Sequence, residues 1–148
     1  LNIRSSYCII IMLNSMRYTA IQYETLRKGY EFYQALEHPF AKALFMLFMV
    51  SEVHPFNDGN GRISRIMMNA ELVAADQSKI IIPTVFREDY LNALRRLTRK
   101  GDPCVIIRAM SRVRQFSAKL TGDDFETTRK YLEECYAFKD GDGYILRF

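Results

Sequence analysis

Apolar residues recur at helical spacing along most of the chain, and the repeats are separated by short stretches with turn chemistry. Leu26, Tyr30, Tyr33 and Leu36 fall three or four apart, which predicts a helix over residues about 24–37. Pro39 suits the first turn of a second helix, where a missing N–H costs nothing. That helix, about 39–52, carries Phe40, Ala43, Leu44, Phe45, Leu47, Phe48, Met49 and Val50 nearly all round, the pattern of a helix enclosed by others. Residues 54–61, HPFNDGNG, have the chemistry of a tight loop. A third helix, about 61–75, follows, with Ile63, Ile66, Met67, Ala70 and Val73 or Ala74 expected along one apolar face. Ile80–Ile82 before Pro83 reads as an extended connection. Further helices are predicted at about 86–99, 102–119 and 123–136, the last two opened by Asp102-Pro103 and by Asp123. Ile9–Leu13 and Arg17–Ile21 can pair as a hairpin turning at Asn14 and Ser15, and the tail DGDGYILRF offers a short strand or no regular structure. The prediction is an all-α domain with one short β-hairpin near its start.

Composition narrows this picture. The chain has 148 residues, 49% hydrophobic and 26% charged, which suits one domain with a real core and excludes wholesale disorder. The three cysteines, Cys8, Cys104 and Cys135, are odd in number and widely spaced, so neither a disulfide framework nor a CxxC metal site is expected. Free thiols suit a reducing compartment. Two histidines, His38 and His54, are too few for an ordinary zinc site. The apolar run Cys8–Leu13 is far below the ~20 residues that span a bilayer, so no membrane association is expected. The net charge of +4 reads as solubility. Arg95, Arg96, Arg99 and Lys100, with Arg108, Arg112 and Arg114, read as solvated helix surface, and nucleic acid is the less favoured partner. The chain begins at Leu1 instead of Met, as expected of a fragment lacking upstream residues or of a processed product.

One stretch carries chemistry: His54-Pro55-Phe56-Asn57-Asp58-Gly59-Asn60-Gly61-Arg62-Ile63-Ser64-Arg65. Gly59 and Gly61 admit backbone conformations closed to other residues, so successive N–H groups can converge on an anion. The stretch opens into a helix whose N-terminus adds a positive dipole end. Arg62 and Arg65, three apart, share one helix face and can reach over the same anion. Asn69, four beyond Arg65, extends that polar stripe as a further candidate contact. Asp58 at the lip would repel a phosphate unless a cation such as Mg²⁺ stood between them. His54 supplies an imidazole, the side chain best suited to proton exchange near neutral pH. Phe56 can anchor the loop in the core. Together these residues describe a polyphosphate cradle with a metal ligand and a base. His38-Pro39-Phe40 is an internal control, because the same HPF triplet there precedes AKALF, with no glycines and no arginine face. His38 is expected merely to start a helix, and the discriminating part is DGNGRxxR.

Residues 54–65 match HxFx[D/E]GNGRxxR, the signature of the Fic family, at every defined position. Eight or so fixed positions give a chance match on the order of 10⁻⁸. Residues 80–94, IIIPTVFREDYLNAL, also resemble the region after the motif in bacterial Fic proteins, and the resemblance extends over about 17–120. It implies a single Fic domain over 1–148, with a C-terminal helix and tail at 121–148: a Fic-fold all-α helical bundle with a short β-hairpin flap before the central motif helix pair. It implies an adenylyltransferase that moves AMP from ATP to a Ser, Thr or Tyr hydroxyl of a target protein and releases pyrophosphate. His54 would be the base, Phe56 the structural anchor and Asp58 the Mg²⁺ ligand. Gly59, Asn60, Gly61, Arg62 and Arg65 would bind the phosphates. Arg17, Tyr18, Thr19, Ala20 and Ile21 would form the flap on which the target docks.

Other readings stay open at this level. The same cradle can serve another nucleotide or phosphate donor, or removal of AMP from a modified protein. A non-catalytic nucleotide- or nucleic-acid-binding module is the alternative of a different class. Many relatives are inhibited by a helix carrying [S/T]xxxE[G/N], whose glutamate pairs with the second motif arginine, here Arg65. Thr84-Val85-Phe86-Arg87-Glu88-Asp89 comes nearest, but Asp89 replaces Gly or Asn. The inhibitory helix is therefore expected upstream of Leu1 or on a separate antitoxin-like protein. A bacterial cytoplasm is the expected location, with secretion as an effector the alternative.

Overall fold

A computed structural model describes residues 19–120, 122, 124–141 and 143–148. Every regular element among them is helical: α1 (Ala20–Ala35), α2 (Pro39–Val53), α3 (Asn60–Ala74), a 3₁₀ turn (Thr84–Phe86), α4 (Arg87–Lys100), α5 (Cys104–Ala118) and α6 (Phe125–Glu134). No helix among the described residues is long and apolar enough to cross a membrane. The chain divides into two compact units between Gln77 and Ser78.

The first unit holds α1, α2 and α3. The sequence places α2 at its centre, because Phe40, Ala43, Leu44, Met46, Leu47, Met49 and Val50 are all buried. His38 caps this helix, its Nδ1 accepting from Phe40 N at 3.2 Å, so the first HPF triplet is a helix start. Leu26 and Tyr33 of α1, Met46, Met49 and Val50 of α2 and Met67 of α3 form one buried cluster. Gly29 lets α1 approach closely, since a Cβ there would come within 2.5 Å of Met49 Sδ.

Two expectations are overturned in this unit. The first is the flap. No β-strand occurs among the described residues. Thr19 is the N-cap of α1, and Ala20 and Ile21 lie in its first turn. Arg17 and Tyr18, like Ile9–Leu13, lie outside the described residues. The physical reason is a capping box. Thr19 Oγ1 accepts from Gln22 N at 3.3 Å, and Gln22 Oε1 accepts from Thr19 N at 3.1 Å. These bonds satisfy backbone groups that a strand could satisfy only with a partner, so the local β-propensity of this stretch is overridden.

The second concerns the inner face of α3, which is Asn60, Ser64, Met67, Met68, Glu71 and Leu72. Ile66 and Val73, expected inside, are 61% and 48% exposed. The polar residues can be inside because each finds a partner. Ser64 Oγ donates to Gly61 O at 2.9 Å, and Tyr33 Oη donates to Glu71 Oε2 at 2.8 Å.

In the second unit α4 packs on α5. Gly101 ends α4 at φ 64°, the left-handed cap that favours glycine. Ile80–Ile82 has no regular secondary structure and is held where Ser117 Oγ accepts from Ile81 N at 2.8 Å. Asp124 caps α6, accepting from Thr127 N at 2.8 Å. The tail is not a strand, yet it is docked. Leu146 is buried, and its carbonyl accepts from Arg112 Nη2 at 2.9 Å. Cys104 is exposed and Cys135 buried, and both are free thiols.

Asp102 opens α5, with its Oδ1 accepting from Cys104 N at 3.0 Å. That bond, with Arg96 close by, holds the carboxyl below the usual carboxylate range. A depressed carboxyl stabilises the fold above its unfolded pKa, and the contribution is lost as pH falls through the folded value. The stability advantage of the parent over Asp102→Ala should therefore shrink as pH is lowered from about 6 to about 2. Urea melts of the two proteins across that range check this.

Candidate active site

The signature residues lie at the turn between α2 and α3. α2 ends at His54, which adopts φ 49° and ψ 56° and whose N–H donates to Val50 O at 3.3 Å. This is a left-handed helix cap made without glycine. The loop then passes through buried Pro55 and half-buried Phe56, whose ring packs against the cluster of Leu26, Tyr33, Met46, Met49, Val50 and Met67. Gly59, at φ 79°, returns the chain to the helical direction and leads into α3.

Asn60 closes this loop. Its Oδ1 accepts from Phe56 N at 2.9 Å, and its Nδ2 donates to Phe56 O at 2.7 Å. The side chain is buried, so both bonds are shielded from water. The Asn60 side-chain amide is thus engaged with the loop, which leaves any contact to an anion from this residue to its backbone N–H. Gln22 is the residue the sequence reading missed. Its Nε2 donates to Val53 O and His54 O, both at 3.2 Å. The T-x-x-Q spacing of a capping box was legible around Thr19, but its reach to residues 53 and 54 was not.

The N-terminus of α3 fits an anion. Gly59 supplies no side-chain cap hydrogen bond to the first N–H groups of α3. A Cβ on Gly59 would stand 3.5 Å from Arg62 Nη2, and one on Gly61 would stand 3.5 Å from Arg65 Nη1. Each glycine thus has a guanidinium group lying beside it at the start of one helix. Arg62 also pairs with Asp58, Nη2 to Oδ2 at 3.4 Å, with both side chains largely in solvent. Such a pair is weak and readily exchanged for a stronger partner. Among the described residues Arg65 makes no ion pair. Asn69 lies half-buried one turn beyond it.

Among the described residues no three His, Cys, Asp or Glu gather to hold a metal. The described residues therefore offer no cage of their own. A single exposed carboxylate, Asp58, fits a hard hydrated cation such as Mg²⁺, which takes few protein ligands and completes its shell with water and phosphate oxygens.

Residues 12–72 match the family model described as the Fic/DOC family. The chain is 40% identical over 65 residues to the protein adenylyltransferase Fic of Drosophila persimilis, a stretch covering 44% of this chain and 13% of that protein. With its counterpart in Drosophila willistoni the identity is 39% over 70 residues, or 47% of this chain and 14% of that protein. The chain thus matches only a small part of these relatives. No solved structure matches it significantly. Residues 12–72, the signature among them, are accordingly the part of the chain that is similar to the Fic/DOC family.

The Asn60 clasp yields a direct expectation. Asn60→Ala leaves the N–H and C=O of Phe56 without partners in a half-buried place, at a cost of about 1–3 kcal/mol. Chemical denaturation should register that loss. Asn60→Asp keeps the acceptor and loses the donor, so it should fall between the two.

Proposed function

We propose that the protein transfers AMP from ATP to a hydroxyl side chain of a target protein and releases pyrophosphate. The observation that carries this reading is the complete signature seated at one helix N-terminus, with two glycines, two arginines and no capping side chain in the way. Similarity to proteins named adenylyltransferases supports it.

His54 takes the proton of the target hydroxyl. The freed oxygen attacks the α-phosphorus, the new O–P bond forms, and the bond from that phosphorus to the bridging oxygen breaks. The electron pair leaves with pyrophosphate. The N–H groups of Gly59, Asn60 and Gly61 and the helix dipole face the charge that builds on the phosphate oxygens. Arg62 and Arg65 hold the outer phosphates by charge-assisted hydrogen bonds. When bound, Mg²⁺ neutralises phosphate charge, and Asp58 is the residue that would hold it. Phe56 keeps the loop in register with the core, and Asn69 is a further candidate contact to the nucleotide. A glutamate-bearing helix, supplied upstream or by a separate antitoxin-like protein, would compete with the terminal phosphate for Arg65.

Incubation with α-labelled ATP, Mg²⁺ and a cell lysate is the decisive experiment. Label on protein supports transfer. Soluble AMP alone means hydrolysis, and unchanged ATP means that the chain is not an adenylyltransferase. His54→Ala should slow transfer by about 10²–10⁴-fold and leave ATP affinity near the parent's. Parental turnover in that variant would remove His54 from the chemistry.

The phosphate roles separate by ligand. Arg65→Ala should weaken ATP more than AMP, by about 1.5–3 kcal/mol for a charged contact. Asp58→Ala should abolish the enhancement by Mg²⁺. Calorimetric titration with ATP and AMP, with and without Mg²⁺, measures both, and equal losses for the two nucleotides would displace Arg65 from the distal phosphate.

A further inference from the structure

His54 presents a conformational problem that its neighbours in sequence do not solve. A non-glycine residue at φ 49° is disfavoured, and helices that end this way usually do so with glycine. Glycine here would remove the imidazole. A left-handed cap is ordinarily reinforced by an N–H from the next residue bonding back to the last turn. The next residue is Pro55, which has no N–H. The αL turn at His54 thus keeps a single 3.3 Å bond to Val50 O and lacks the second donor.

Gln22 brings a donor from another helix. Its Nε2 reaches Val53 O and His54 O together, both at 3.2 Å, and so spans the peptide whose twist the αL turn sets. Its Oε1 is held in turn by Thr19 N at 3.1 Å and Thr19 Oγ1 at 3.2 Å. Two donors and two acceptor positions make up a primary amide's full capacity, and all four are used. The amide is therefore fixed in orientation, with the N-cap of α1 holding one end and the C-terminus of α2 receiving the other.

We propose that Gln22 is a positioning residue that holds His54 in its left-handed conformation and so sets the direction of the imidazole. This rests on the reading of His54 as the base. The φ and ψ of a residue determine where its Cβ points. Releasing the peptide after His54 would swing the imidazole and leave the phosphate cradle at the start of α3 in place. Gln22 would then act on turnover and not on nucleotide binding.

Gln22→Glu separates the two jobs of the side chain. Glutamate keeps the oxygen that closes the capping box with Thr19, so α1 keeps its start. It replaces the donor to Val53 and His54 by a repelling oxygen. Gln22→Met serves as the second variant, removing both functions without adding charge. One readout is independent of catalysis. A residue with positive φ gives a strong intraresidue amide-to-Hα Overhauser effect by NMR, and His54 should show it in the parent and lose it in both variants.

The second readout is kinetic, and kcat for transfer should fall roughly 10–10²-fold with KM for ATP unchanged. A variant that folds, keeps the strong effect at His54 and turns over like the parent overturns the proposal. So does a loss that appears in KM for ATP alone. If the parent transfers nothing, the reading of His54 as base fails, and the NMR comparison still decides whether Gln22 holds the turn.

Discussion

A chain that must leave one helix and enter the next within six residues, with the turn carrying reactive groups, has few ways to satisfy its own backbone. In this protein the reversal from α2 to α3 is held by two side-chain amides. Gln22 binds the carbonyls of Val53 and His54 where α2 ends. Asn60 binds both backbone groups of Phe56 where α3 begins. The left-handed turns at His54 and Gly59, the seating of Phe56 and the bare helix N-terminus depend on these two clasps.

The core of the first unit explains why such a loop can be rigid. α2 is apolar on nearly every side and is enclosed, so its C-terminal end has little freedom. α3 rests against it on a face that includes Ser64 and Glu71, each hydrogen-bonded. Burying those polar residues rotates α3 and leaves Ile66 and Val73 in solvent. The same rotation sets where Arg62 and Arg65 emerge, so a choice made in the core determines which residues stand beside the anion position. A buried carboxylate is normally costly, and the Tyr33 hydroxyl offsets that cost while joining α1 to α3.

The family match ends at residue 72 and the first unit at Gln77, so the signature chemistry and the matched segment share one unit. The second unit carries much of the basic surface. Several of its arginines have local work. Arg96 pairs with Asp102, Arg95 bonds Asn92, and Arg112 holds the carbonyl of Leu146.

By itself the sequence determined the helices that rest on strong periodicity, the start of α2 at His38-Pro39, and the motif over residues 54–65. These depend on spacing within a few residues, and spacing is written in the chain. The N-terminal end of α1 was misread because Arg17–Ile21 has fair strand propensity, and a capping box between Thr19 and Gln22 outweighs it. The inner face of α3 was misread because hydrophobicity ranks Ile66 above Ser64, whereas burial is decided by whether a polar group finds a partner. The link from Gln22 to His54 and the pairing of Tyr33 with Glu71 join residues more than 30 positions apart. Only the tertiary structure decided them, because a hydrogen bond across two helices depends on how those helices pack, and no local pattern encodes that.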